Sequence, residues 1–234
     1  MSDFVLVAGA WHGAWCWQRV LPALWAAGHR AFAVTLSGVG ERAHELHPGI
    51  TLATHIADVA AVIAAEELRG AVLVGHSYAG MVITGVADRV DSDRLSRLVY
   101  LDAVVPEPGE CWSSQHGDET RAARRNAIAE HGVIPAPDPS IFGLGGADHA
   151  WVQRRMTSHP GGVYDAPLLF DRERVKRWPR SFVDCTAPAL ATIAVMRERV
   201  RAEPGWQVTE IATGHDLMVS APQALLAALL SSTT

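Results

Sequence analysis

The ten residues 71–80, AVLVGHSYAG, constrain this chain more than any other stretch. An apolar, β-prone run (Ala71, Val72, Leu73, Val74) stops at Gly75, presents one hydroxyl at Ser77, and resumes as a helical pattern through Met81, Val82 and Ile83. That is a strand, a sharp turn and a helix. A serine on such a turn has its side chain pushed outward, in a strained geometry that tolerates only small residues two positions to either side. Gly75 and Ala79 meet that demand, and Gly80 follows. The pattern is GxSxG with a methyl group at the last glycine. The same residues also fit a second reading, Ser77 as an ordinary helix N-cap after a buried strand.

Around this junction the chain alternates between two periods. Short continuous apolar runs, the mark of strands covered on both faces, occur at 4–8, 31–36, 98–101, 181–185 and 206–211. Helical spacing fills 17–27, with Gly28 placed to close it, and a long stretch from Thr51 that carries Ile56, Val59, Ala60, Ile63 and Ala64 behind a cap at Thr51 or Thr54. It returns at 190–200 and 223–230. Strands alternating with helices at this rhythm imply an α/β chain with a parallel, doubly wound sheet. The rhythm breaks between 105 and 180, where only 119–131 and 147–158 look helical. We therefore expect a core of 1–104 and 181–234 and a helical cap insertion of 105–180 over the carboxyl edge of the sheet, one domain overall.

Length and composition agree: 234 residues, 49% of them hydrophobic, are enough for one sizeable core. A formal charge of -5 and a pI near 6.1 give no continuous basic face for nucleic acid or an anionic membrane. The clusters Arg121, Arg124, Arg125 and Arg172, Arg174, Lys176, Arg177 are interrupted by acids and apolar residues, and read as solvated helix faces. Three cysteines, Cys16, Cys111 and Cys185, leave an odd thiol in any pairing and have no metal-ligand spacing. No stretch reaches the ~18 apolar residues of a membrane span and no basic leader opens the chain, so a cytoplasmic protein is expected.

A serine hydroxyl needs a base within hydrogen-bond reach and a third group to orient that base. Of eleven histidines, His215 alone lies in a loop directly after the last strand, in the chain order nucleophile, acid, histidine. His76 flanks Ser77 and is expected to point elsewhere; His44, His47, His116, His131, His149 and His159 are expected to be solvated. His12, in the glycine-punctuated loop after the first strand, is expected to tie that loop together by hydrogen bonds.

Five stretches, VLVAGAWHGAW, TLSGVGER, LVGHSYAGMV, LVYLDAVVPEPGE and IATGHDLMVSAP, resemble the plant methylesterase and hydroxynitrile lyase branch of the α/β-hydrolase superfamily and its bacterial carboxylesterase relatives. They are spread over nearly the full length. The resemblance implies an α/β-hydrolase fold with a six-stranded, mostly parallel sheet flanked by helices, a small helical cap, and an oxyanion hole from the backbone N–H groups of Ala10 and Tyr78. In the plant proteins the acid stands two residues beyond a Cys-Thr pair; here Cys185 and Thr186 are followed by Ala187 and Pro188, and proline cannot serve. Asp102, at the end of the strand after the elbow, is the best substitute, Asp184 the second, and Asp216 adjoins His215 with its side chain turned away. Asp216 and Gly9 also stand where the lyases of this branch have a lysine and a threonine, which disfavours cyanide chemistry.

The expectation is a serine carboxylesterase acting through an acyl-enzyme on small to medium hydrophobic esters: Ser77 as nucleophile, His215 as base, Asp102 as acid, and no metal or organic cofactor. Trp11, Trp15, Trp112, Trp151, Phe142 and Leu144 are candidates for an apolar pocket. The partner is a small-molecule ester, with no nucleic acid or membrane; a homodimer is left open. The rival readings are a ligand-binding, receptor-like protein of little turnover and a lactonase or cyclase of specialised metabolism.

Overall fold

Apolar runs without polar alternation need cover on both faces, and the chain supplies it by sending helices to either side of one sheet. The computed structural model describes residues 1–232. In chain order the elements are β1 (Asp3–Val7), α1 (Leu21–Ala26), β2 (Arg30–Val34), α2 (Leu52–Ala65), β3 (Ala71–His76), α3 (Ala79–Arg89) and β4 (Leu95–Leu101). There follow α4 (Asp118–His131), β5 (Val133–Ile134), α5 (Gly146–Gln153), β6 (His159–Pro160) and α6 (Arg172–Lys176). The chain closes with β7 (Arg180–Cys185), α7 (Ala194–Ala202), β8 (Trp206–Ile211), α8 (Leu217–Ser220) and α9 (Pro222–Ser231).

Six strands form one sheet in the order β2-β1-β3-β4-β7-β8, and each neighbouring pair is parallel. The chain steps outward from β1 to β2, then returns to lay β3 on the other side of β1. That reversal opens a crevice at the carboxyl ends of β1 and β3, where open parallel sheets receive ligands. All six residues of β3 are buried, whereas the edge strand β8 is partly exposed along its length.

Local differences from the expected elements have identifiable causes. The first helix begins at Leu21 because Pro22, which has no N–H to donate, fits in a first turn and not in a helix interior; the residues before it form a short 3-10 turn, Ala14–Trp17. Gly28 closes that helix with φ +82°. The expected helix over 147–158 stops at Gln153, because Thr157 N–H donates to Trp11 O and the chain then enters β6, antiparallel to β5. Thr51 and Thr54 cap α2 reciprocally.

The glycines of the elbow explain why a methyl group is tolerated at Ala79 and not one residue later. A Cβ on Gly80 would stand 1.8 Å from Val104 O, and one on Gly75 would meet Ala79 O at 2.9 Å. Gly80→Ala is therefore expected to destabilise the fold at the top of the range of about 1–3 kcal/mol for overpacking, or beyond it. Gly28→Ala, which meets nothing within 4 Å, costs only the strain of its positive φ, about 1–2 kcal/mol. Urea denaturation of the two variants checks the order.

Candidate active site

Three residues at the carboxyl edge of the sheet sit in the left-handed backbone region that side chains disfavour: Trp11 (φ 67°), Ser77 (φ 55°) and Asp102 (φ 41°). Each costs on the order of 1–3 kcal/mol and persists only where surrounding contacts over-determine it. At Ser77 those contacts are a bond from its N–H to Leu101 O and bonds to its carbonyl from Val104 and Gly80. Gly9 packs from the other side, where a Cβ would lie 2.9 Å from Ser77 Cβ. The result is a hydroxyl-bearing side chain, partly exposed, among buried neighbours.

His215 reaches the same place from the other end of the chain. Its N–H donates to Phe142 O, and its Nδ1 stands 2.7 Å from Asp102 Oδ2. That bond puts the proton on Nδ1 and leaves Nε2 as the basic nitrogen. His76 does not point elsewhere, as expected from sequence: its ring packs 4.6 Å from that of His215, and its Nε2–H donates to His215 O. Ser77 and His215 line one cavity of about 70 Å³.

Of the two competing carboxylates, Asp102 meets the imidazole. Asp184 lies one strand over, on β7, and points to Arg197 Nε (2.5 Å) and Arg201 (2.6 Å). Arg197 also reaches Asp102 Oδ1 at 2.7 Å, so one guanidinium bridges the two acids. Asp216 is turned from His215 as expected, but it is not idle: its Oδ2 bonds His12 Nε2 at 3.2 Å, with both groups buried.

The same pair organises the loop after β1. His12 Nδ1–H donates to Ala10 O at 2.7 Å, and Trp11 N–H donates to His159 Nδ1 at 3.2 Å, so the peptide between Ala10 and Trp11 is held at both ends. Next to it the N–H of Ala10 takes no acceptor among the described residues, nor does that of Tyr78. The Tyr78 hydroxyl bonds His55 Nδ1 at 3.0 Å, while His55 Nε2 bonds Ser37 O. His55 and His159 brace this region in a way that the sequence did not show. His159 and His116, expected to be solvated, are buried because they pack against aromatic rings, His159 against Tyr78 and Trp112, His116 against Trp112 and Tyr164.

Burial and charge sort these histidines. Desolvation pushes His76 and His159 well below the ordinary value and takes His55 to about 4, so all three are neutral. Burial also acts on His12, but the Asp216 charge and hydrogen bond outweigh it and hold His12 above the usual imidazole value. Burial would raise the Asp216 carboxyl; the nearby histidines, His12 first, bring it below the usual carboxylate value.

Trp11, Trp112 and Phe142 line the cavity, as expected, with Val104 and Ile193. Trp15 and Trp151 instead pack on each other, and Leu144 lies in the core. Besides Ser77 and His215, the polar lining is Gln115, His116, Arg124 and Thr192. Among the described residues no cluster of His, Cys, Asp or Glu has the geometry of a metal site, and no helix is long and apolar enough to cross a membrane.

The alpha/beta hydrolase family pattern matches residues 4–229. The chain is 40% identical over 240 residues to a carbendazim hydrolyzing esterase of Nocardioides sp. (strain SG-4G), covering 96% of this chain and 97% of that one. It is 37% identical over 252 residues to the polyneuridine aldehyde esterase of Rauvolfia serpentina, covering 98% and 94%. Among solved structures, an extracellular alpha/beta-hydrolase from a Paenibacillus species superposes with a TM-score of 0.86 at 20% identity, over 99% of this chain and 98% of that one. A methylesterase from Arabidopsis does so with 0.80 at 21%, over 100% and 99%. The six-stranded parallel sheet flanked by helices is thus an α/β-hydrolase fold.

The His12–Asp216 pair generates a pH signature. A raised His12 contributes stability that is complete below its ordinary 6.5 and lost as pH rises through the folded value; a depressed Asp216 contributes stability that is complete above 3.8 and lost as pH falls through its own. The stability difference between wild type and Asp216→Asn should therefore be largest between these two values and shrink on both sides. His12→Ala, which strands a buried carboxylate, is expected to cost about 3–5 kcal/mol. Urea titrations from pH 3 to 9 check both, and a difference that is flat across this range contradicts the ion pair.

Proposed function

This chain belongs to the alpha/beta hydrolase family, and on that footing we propose that it is a serine carboxylesterase working through an acyl-enzyme. Esterase relatives along nearly the whole length support a hydrolase acting on esters. The observation that carries the finer reading is a single cavity bounded by Ser77 and His215, with Asp102 Oδ2 at 2.7 Å from the far nitrogen of the imidazole.

In this mechanism His215 Nε2 takes the Ser77 proton as Oγ attacks the ester carbonyl. The developing oxyanion is received by the N–H groups of Ala10 and Tyr78, which are fixed and unspent before substrate arrives. Asp102 keeps the imidazole in the productive tautomer and stabilises the imidazolium. That imidazolium protonates the departing alcohol, and His215 then activates water to release the acid and free Ser77. Arg197 acts through Asp102: by occupying Oδ1 it leaves Oδ2 aimed at the ring. No cofactor enters the reaction.

The cavity limits the substrate. Its walls of Trp11, Trp112, Phe142 and Ile193 suit small esters with an apolar portion.

A serine-directed fluorophosphonate should label wild type once per chain and leave Ser77→Ala unlabelled, with 4-nitrophenyl acetate turned over many times by wild type alone. Tight retention of ester without release of nitrophenol would sink the esterase and favour a receptor. Asp102→Asn is expected to lower kcat by about 10²–10⁴. Asp184→Asn should lose far less activity per folded molecule; equal losses in the two variants would refute the assignment of the acid.

A further inference from the structure

Helix α4 carries three arginines, Arg121, Arg124 and Arg125, and two of them have acids. Arg121 bonds Asp118, and Arg125 forms a two-pronged pair with Asp165 at 2.9 and 3.0 Å. Arg124 has none: no ion pair involving it occurs among the described residues. It is not on a solvated face either, as the sequence suggested. Its guanidinium is half-buried against three rings, 4.9 Å from Trp112, 5.3 Å from Trp11 and 5.5 Å from Tyr164.

Its one hydrogen-bonded side-chain neighbour of basic character brings no compensating charge. Arg124 Nη1–H donates to His116 Nε2 at 3.1 Å, which leaves the His116 proton on Nδ1, toward the Tyr164 hydroxyl at 3.2 Å. Burial, with help from Arg124 and Arg121, takes His116 down to about 3, so it is neutral. The cluster therefore carries one uncompensated positive charge. It faces the cavity that holds Ser77 and His215, and no acidic side chain lines that cavity.

Stacking on aromatic faces orients a guanidinium without neutralising it. A partly desolvated cation with no counter-charge is costly, and an apolar side chain of similar length would fill the same space without that cost. A guanidinium still has donors to offer in the plane of its fork, and a carboxylate is the group whose geometry matches them two at a time. The geometry points to Arg124 as the receiver of a substrate carboxylate: the esters this site takes are anionic ones, bearing a free carboxylate on the part of the molecule remote from the bond that is cut. This rests on the esterase reading above and narrows it. The apolar walls hold the middle of such a substrate, and Arg124 holds its charged end.

Two pairs of esters that differ only by methylation of the remote carboxylate test this. Methyl hydrogen glutarate against dimethyl glutarate places the charge on the acyl side; 4-acetoxybenzoate against its methyl ester places it on the leaving group. In wild type the free acid of one pair should exceed its neutral partner in kcat/KM by about tenfold to a hundredfold, the range of a charge-assisted pair. Arg124→Met should bring that ratio to one or below, and Arg124→Lys should restore part of it. A brace for the cap would move the melting temperature of these variants and leave the ratio alone. The inference is overturned if neither wild-type pair shows a preference, or if a folded Arg124→Met keeps it; either result with neutral esters still hydrolysed leaves the esterase reading standing. If no ester is hydrolysed, calorimetry decides: methyl hydrogen glutarate binding at least tenfold more tightly than dimethyl glutarate upholds the charge receiver, and equal binding removes it.

Discussion

Asp102 is completely buried, and its two carboxylate oxygens are claimed by distant parts of the chain, Oδ2 by the imidazole of His215 and Oδ1 by the guanidinium of Arg197. A carboxylate removed from water is costly unless partners on the protein replace the lost hydration. Meeting it this way joins the end of β4, the loop after β8 and helix α7 into one unit. The residue's own left-handed backbone is part of the same arrangement, since Asp102 N–H is drawn to Val183 O at 2.7 Å on the neighbouring strand. Asp102 thus follows the strand that pairs directly with the one leading into Ser77. Asp184, the other candidate, faces the far side of Arg197 and serves to neutralise it.

Around the N–H groups of Ala10 and Tyr78, which take no acceptor among the described residues, the structure uses histidines as fixed struts. His12, His55 and His159 are all buried, and each bonds a backbone or hydroxyl group next to Ala10 or Tyr78. An imidazole suits this task because it offers a donor and an acceptor on one rigid ring. Of the three, His12 alone is held above the usual imidazole value, by the Asp216 carboxylate beside it. The loop after β1 and the loop after β8 are therefore tied together by the His12–Asp216 hydrogen bond, with Ala10 on one side of it and His215 on the other.

The cap adds what the sheet edge lacks. From the segment 105–180, Trp112, Phe142 and Arg124 line the cavity together with Ser77. Phe142 O also accepts the N–H of His215, so this segment helps to hold that residue in place. Its chemistry is mixed, apolar rings carrying one cation, and that mixture sets the cavity apart from a plain hydrophobic slot.

The sequence by itself determined the alternation of strands and helices, the turn at Ser77 and the histidine after the last strand. These depend on periodicity and on small residues at short range, which is information carried by neighbours along the chain. It also placed the break at 105–180, without showing the small β5–β6 ladder or that α5 would end at Gln153. Only the tertiary structure shows which of Asp102 and Asp184 meets His215, because both follow or lie in adjacent strands and the contact belongs to where Arg197 and His215 come to rest. The same holds for His116, His159 and Arg124, which look like surface residues in a polar, irregular stretch. Whether such a side chain meets water or a buried ring depends on how a distant segment folds over the sheet, and no local pattern encodes that contact.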